Sequence, residues 1–150
     1  MTYQEWLETV PEAITGDVLW KVEAYRIALF AADIGWEDVT KLAGDKRTRN
    51  MADQLYRALG SMSANIAEGY SRGTNKDRAH FYEYALGSAR ESRDWYYKAR
   101  HVLSEPVLTH RFKLINQVIR LLMVMVPNQR GQYIKESTVE YIPNILDDQI

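Results

Sequence analysis

The sequence predicts an all-α protein, an antiparallel up-down-up-down four-helix bundle with acidic N- and C-terminal extensions. Three observations carry that expectation. Apolar residues recur at alternating steps of three and four along four long segments, no stretch before the C-terminal tail shows the period of two that a strand requires, and the connections between the segments are short. Four prolines and eight glycines in 150 residues leave room for long helices. The length suits one domain with its own core, and 46% hydrophobic with 26% charged residues is a globular mix, not a disordered one.

The first helix is predicted from about Val18 to Leu42, on a seam of Val18, Val22, Tyr25, Leu29, Ala32, Trp36 and Val39, with Gly44 and Asp45 breaking it. The second runs from about Asn50 to Glu68 on the stripe Met51, Leu55, Leu59, Met62 and Ile66, with Asn50 and Asp53 as its N-terminal cap pair. Gly69 and Gly73 bracket a turn, and Thr74 with Asp77 resembles a capping box that opens the third helix. That helix is expected to reach about Leu103 on Phe81, Ala85, Ser88, Ser92, Trp95, Ala99 and Val102, with small residues, Gly87 among them, letting a neighbour approach closely. Ser104 and Pro106 suit the start of the fourth, whose seam is Leu108, Phe112, Ile115, Ile119, Leu122 and Val126, and Pro127 and Gly131 are expected to end it. The bundle thus spans 18–127, with a short helix near Tyr3–Val10 within an N-terminal extension of residues 1–17.

The net charge of −1 is unevenly spread. Residues 1–17 hold four carboxylates and no Lys or Arg, residues 132–150 hold four carboxylates against Lys135, and the stretch between them carries a net +6. A basic body between acidic ends implies an anionic partner, or ends that pair with the body. The tail, 128–150, also carries Tyr133, Ile134, Val139, Tyr141, Ile142, Ile145, Leu146 and Ile150, more apolar surface than a solvating tail needs. Three readings stay open for it: a strap on its own bundle, a segment docking on a neighbouring subunit, or disorder.

The absence of cysteine excludes disulfides, thiolate metal sites and thiol nucleophiles. No apolar run approaches the ~18 residues of a membrane span, and the N-terminus is acidic where a signal peptide is basic, so a cytoplasmic location without a membrane partner is expected. Asp77 and His80 alone approach the Glu-x-x-His spacing of a di-metal bundle, Ser61 and Ser63 have no histidine near them in sequence, and phosphate-cradling glycine loops are missing. The expectation is therefore no enzyme, no metal and no cofactor. The basic residues are the remaining lead. Lys46, Arg47 and Arg49 cluster before the second helix and Arg57 lies along it, Arg72, Lys76 and Arg78 surround the next turn, and Arg90, Arg93, Tyr97 and Arg100 share a face of the third helix. Arginine binds phosphate bidentately and tyrosine stacks on bases, so these ten residues, Lys46 aside, are the candidates for nucleic-acid binding. The competing reading is a solvated face laced by pairs such as Arg90–Asp94 and Asp94–Lys98.

The stretch SMSANIAEGYSRG, Ser61 to Gly73, resembles the S-x-x-x-N-I-A-E-G-Y/F signature of a family of four-helix bundles encoded in intervening sequences of large-subunit rRNA genes, which includes the accessory variability determinant (Avd) of diversity-generating retroelements. Leu55, Tyr56 and Arg57, and then Phe81, Ala85, Gly87 and Ser88, add to the likeness, which covers about residues 18–127. The resemblance implies a homo-oligomer, usually a pentamer, with no known catalytic activity. For the retroelement branch it implies a basic nucleic-acid-binding surface (RNA or DNA) and a partnership with reverse transcriptase. The signature residues Asn65, Ile66, Ala67, Glu68, Gly69 and Tyr70 read as structural. Glu68 sits where the helix dipole disfavours a negative charge, so it needs donors from the following turn or from Arg72, Asn65 is expected to bond a backbone group or a facing helix, and Gly69 is expected to supply a left-handed cap.

Overall fold

Four long helices make up the body of the molecule in a computed structural model, which describes residues 1–131. The readings made for residues 132–150 lie outside the described residues. In chain order the elements are α1 (Tyr3–Leu7), α2 (Glu12–Thr15), a 3-10 turn at Val18–Lys21, α3 (Glu23–Ala43), α4 (Arg49–Tyr70), α5 (Asn75–Lys98), a second 3-10 turn at Ala99–His101 and α6 (Glu105–Gln129). The long helices neighbour one another in chain order, and α6 closes back on α3, which is the up-down-up-down bundle. There is no strand among the described residues.

The first long helix starts later than the sequence reading has it. Asp17 accepts a hydrogen bond from the Leu19 amide at 3.0 Å and caps a separate tight turn, so Val18 stands outside α3 and is 54% exposed. The face that α3 buries is also offset from the predicted seam. Ala24, Ile27, Ala28, Phe30, Ala31, Gly35, Asp38, Val39 and Leu42 are buried, so Val39 holds from the predicted seam, whereas Val22, Tyr25, Leu29 and Ala32 flank the core and Trp36 is exposed. The buried face mixes large side chains (Ile27, Phe30, Leu42) with small ones (Ala24, Ala28, Ala31, Gly35), and at Gly35 α4 comes so close that a Cβ would fall 2.5 Å from Leu59. The same face also contains a carboxylate, Asp38, which a hydropathy reading assigns to solvent.

α4 buries Leu55, Leu59, Met62 and Ile66 as predicted. Its N-cap is Thr48, not Asn50, and the Thr48 hydroxyl donates to the Leu42 carbonyl at 2.6 Å, tying the turn to the end of α3. α5 opens on Thr74, whose hydroxyl accepts from the Asp77 amide at 3.2 Å. Its buried face is Ala79, Tyr82, Ala85, Ala89, Ser92 and Tyr96, so Ala85 and Ser92 hold, Phe81, Ser88 and Trp95 border the core, and Gly87 faces open space; the helix stops at Lys98 and not near Leu103, the chain tightening into the 3-10 turn that buries Ala99 and leaves Val102 at the border. α6 starts at Ser104 as expected and buries Leu108, Ile115, Ile119 and Leu122. It runs through Pro127, which drops a hydrogen bond only in the last turn, and Gly131 beyond it takes φ +74°.

The N-terminal segment joins this core. A reciprocal capping box between Thr2 and Glu5 starts α1. Trp6, 2% exposed, and Tyr3 then set their rings against Phe30 at 5.3 Å, and Trp6 donates to Asp33 at 2.7 Å.

Candidate nucleic-acid interface

The family-like stretch forms the last turns of α4 and its joint with α5. The Asn65 amide donates to the Ser61 carbonyl at 2.8 Å, a backbone partner as expected. Ile66 is wholly buried, and the Ala67 carbonyl accepts from both the amide and the hydroxyl of Ser71. Glu68 forms an ion pair with Arg72, one of the two donors foreseen for it. Gly69 does not supply a left-handed cap. It lies inside the helix, and its lack of a side chain serves packing: a Cβ there would fall 2.8 Å from the Tyr82 ring and 3.0 Å from the Phe81 Cβ. The helix is capped by Ser71 in right-handed geometry. Tyr70 lies under the Arg78 guanidinium at 5.8 Å.

The ten basic-face candidates fall in separate places. Arg47 and Arg49 sit at the α3–α4 turn. Arg47 grips Asp45 in a bidentate pair (3.0 and 2.7 Å), and this hydrogen bonding, side chain first and backbone amide second, holds the Asp45 carboxyl down at about 2. Arg49 donates to the Ala43 carbonyl at 3.3 Å. Arg57 pairs with Asp53 at 3.2 Å. Arg72, Lys76 and Arg78 lie at the α4–α5 turn, the other end of a helix that spans about 33 Å. There Arg72 also covers the Phe81 ring at 4.5 Å, and Arg78 donates to the Arg72 carbonyl at 2.9 Å.

Arg90, Arg93 and Tyr97 do come together on α5, beside α6, and Arg100 joins them from the 3-10 turn that follows. Arg93 donates to Asn116 at 2.9 Å, Arg90 lies 4.0 Å from the Met123 sulfur, and Arg100 stacks on the Tyr97 ring at 4.3 Å. None of the three guanidiniums is paired with a carboxylate among the described residues, and of the two pairs that the spacing allowed, Asp94–Lys98 forms at 2.7 Å and Arg90–Asp94 does not. Asn116, Arg120 and Met123 extend this face onto α6. Their steps of four and three were legible on the polar side of the α6 seam, but only the contacts of Asn116 with Arg93 and of Met123 with Arg90 reveal that the stripe, with Arg120 between them by spacing, belongs with that face.

A buried polar cluster went unread in the sequence. Arg111 donates to both Asp38 oxygens (2.6 and 3.1 Å), Tyr96 donates to the same carboxylate at 2.7 Å, and the Arg111 guanidinium meets His110 Nδ1 at 2.7 Å. Burial, and after it the Asp38 charge, hold the Tyr96 phenol well above its ordinary value. Both Asp38 oxygens have donors, so the cluster pins α3, α5 and α6 together and presents no unsatisfied carboxylate. A cleft of about 400 Å³ lies over it, bordered by Asp33, Trp36, Glu37 and Lys41. His80 faces the Tyr84 hydroxyl at 2.7 Å, and no group of three or more potential ligands is placed to hold a metal ion among the described residues. No described helix is long and apolar enough to cross a membrane.

The family model of the 23S rRNA-intervening sequence protein matches residues 21–124, more than two thirds of the chain. No curated protein and no solved structure matches.

Proposed function

The chain belongs to the 23S rRNA-intervening sequence protein family, and on that premise we propose that it acts as a non-enzymatic homo-oligomer that binds nucleic acid, as an accessory in RNA processing or to a reverse transcriptase. The observation that carries the reading is the α5/α6 face. Arg90, Arg93 and Arg100 gather there without carboxylate partners among the described residues, beside a tyrosine that is 57% exposed. Guanidiniums spaced along a helix meet successive phosphates, and an exposed ring offers a base a stacking surface. Contacts of this kind read backbone more than sequence. In a closed ring, the pentamer that the resemblance implies included, the face repeats around the axis and a moderate charge becomes a dense one.

A second reading is an oligomeric scaffold for protein partners, favoured by a different surface. Trp36 is 61% and Tyr56 41% exposed, their rings meet edge to face at 5.6 Å, and Leu29, Ala32, Val10 and Ile14 continue the apolar surface. Exposed aromatic anchors of this sort are typical of interface centres.

The test is binding of a labelled structured RNA and a matched DNA duplex across a salt titration, on material whose mass is fixed by light scattering. Binding is expected to fall steeply with salt. The double variant Arg90→Glu, Arg93→Glu should weaken it and flatten the log–log salt slope by about 2 per bound subunit. An oligomer that binds neither probe at low salt, or binding indifferent to the reversals, transfers the assignment to the scaffold.

A further inference from the structure

The α5/α6 face is apolar as well as cationic. Met123, 48% exposed, stands beside Arg90, and Tyr97 stands beside Arg100. Arg120, between Asn116 and Met123 on the same stripe, has no carboxylate partner among the described residues. Phosphate explains the cations but not the exposed thioether. Residues 132–150 have the complementary chemistry: four carboxylates against one lysine, interleaved with eight large apolar or aromatic residues.

The described chain ends at the right place for such a pairing. Arg130, just past α6, is held on α5 by Glu83 at 2.6 Å, and Gly131 breaks the helical course with φ +74°. Nineteen residues follow it, enough to reach about 60 Å when extended, whereas the 25 residues of α6 rise only about 37 Å. We propose that residues 132–150 dock in cis on the α5/α6 face, where they compete with nucleic-acid phosphate. Tethering places them at millimolar effective concentration, so contacts too weak to hold a separate peptide suffice. Release of the segment would then expose the cationic stripe. The docking stands on charge, apolarity and reach; the competition rests on the proposed function.

The absence of cysteine gives a direct test. Full-length Ile145→Cys, and separately Tyr141→Cys, is labelled with a benzophenone maleimide and photolysed. Crosslinks are expected on α5 around Arg90–Tyr97 and on α6 around Asn116–Met123. They should join residues of one chain, as read by mass spectrometry from mixed isotopically light and heavy protein. A segment covering the face about nine-tenths of the time weakens apparent affinity about tenfold, so locking it by the crosslink should weaken binding of a structured RNA further, by at least another tenfold. Crosslinks elsewhere or between chains, or a locked protein that binds RNA undiminished, overturn the proposal and leave the nucleic-acid reading intact. Crosslinks on the face in a protein that binds RNA in neither form support the docking and overturn the nucleic-acid reading instead.

Discussion

Two glycines in one helix make the packing argument measurable, because the same substitution should act in opposite directions at them. Gly60 and Gly69 both lie in α4, and both forfeit helix propensity relative to alanine, by about 1 kcal/mol at an interior position. A Cβ at Gly60 meets nothing within 4 Å, so Gly60→Ala should stabilise by up to about 1 kcal/mol, raising Tm by about 2–4 °C for a domain of this size. At Gly69 the added carbon falls 2.8 and 2.9 Å from the Tyr82 ring and 3.0 Å from the Phe81 Cβ. The ring edge can tilt, but the Phe81 Cβ is fixed to the α5 backbone, so the helices must separate. Overpacking of this kind costs about 1–3 kcal/mol, and the gain in propensity shrinks in a final turn. Gly69→Ala should therefore be net destabilising, by about 1–2 kcal/mol. Denaturant unfolding of both variants at equal protein concentration gives the comparison. If Gly69→Ala is as stabilising as Gly60→Ala, close approach of α4 and α5 is not what requires a glycine there.

Arg111→Met should destabilise by about 3–5 kcal/mol, because it strands the buried Asp38 charge, and the triple variant Asp38→Leu, Tyr96→Phe, Arg111→Met, which leaves neither the carboxylate nor the Tyr96 hydroxyl unpaired, should recover much of that loss in the same unfolding assay. Tyr96 has a folded pKa raised above its unfolded value near 10, so its contribution is complete at neutral pH and declines above about pH 10; absorbance at 295 nm should show buried phenols ionising only as the protein unfolds, and that phase should lose the amplitude of one phenol in Tyr96→Phe. Asp45 has its pKa depressed by Arg47, so the favourable contribution of its carboxylate is present above about pH 4 and is lost as pH falls through about 2; the Asp45 carboxyl resonance should titrate near 2, and in Arg47→Ala it should move up toward the ordinary aspartate value without reaching it, because the amide of residue 47 still donates to the carboxylate.

The number and order of the long helices and the turns between them were legible because seam and punctuation agree: Gly44–Asp45, Thr74 and Ser104–Pro106 each fall where one long helix gives way to the next, whereas α2 and the two 3-10 turns are too short to show a seam. The α4 and α6 faces were legible because each has one dominant apolar stripe. α3 was misread because it has two, and the one it buries is interrupted by small residues and by Asp38, so hydropathy favours the other. Asp38 and Arg111 are the sharper case. They are 73 residues apart, each looks like a solvated charge by itself, and only their mutual satisfaction makes burial tolerable. Gly69 was misread for a related reason. A glycine near a helix end suggests a cap, and only the position of Phe81 and Tyr82 on the next helix shows that it makes room.

The candidate interface was legible in composition but not in selection. Ten residues qualified by charge or ring, and a single chain gives no means of ranking them. The contacts supply one. Arg47, Arg57 and Arg72 each face a carboxylate within its own turn, so each local pair is close to neutral and adds little to a long-range field, although such exposed pairs contribute only about 0–1 kcal/mol to stability. Arg90, Arg93 and Arg100 are oriented by a thioether, an amide and an aromatic ring, partners that hold a guanidinium in place without cancelling its charge. Surface that is pre-oriented and uncompensated binds an anion with less reorganisation and less competition than surface already paired. Such a surface suits any anion of matching spacing, whether a phosphate backbone or the carboxylates of residues 132–150. Under the proposed reading the two ligands differ in what salt does to them: phosphates release condensed counterions on binding and lose affinity steeply as salt rises, whereas a tethered segment that also buries apolar side chains loses less. Raising salt should thus shift the face toward the chain's own segment, and crosslinking yield at the face should outlast RNA binding across the same titration.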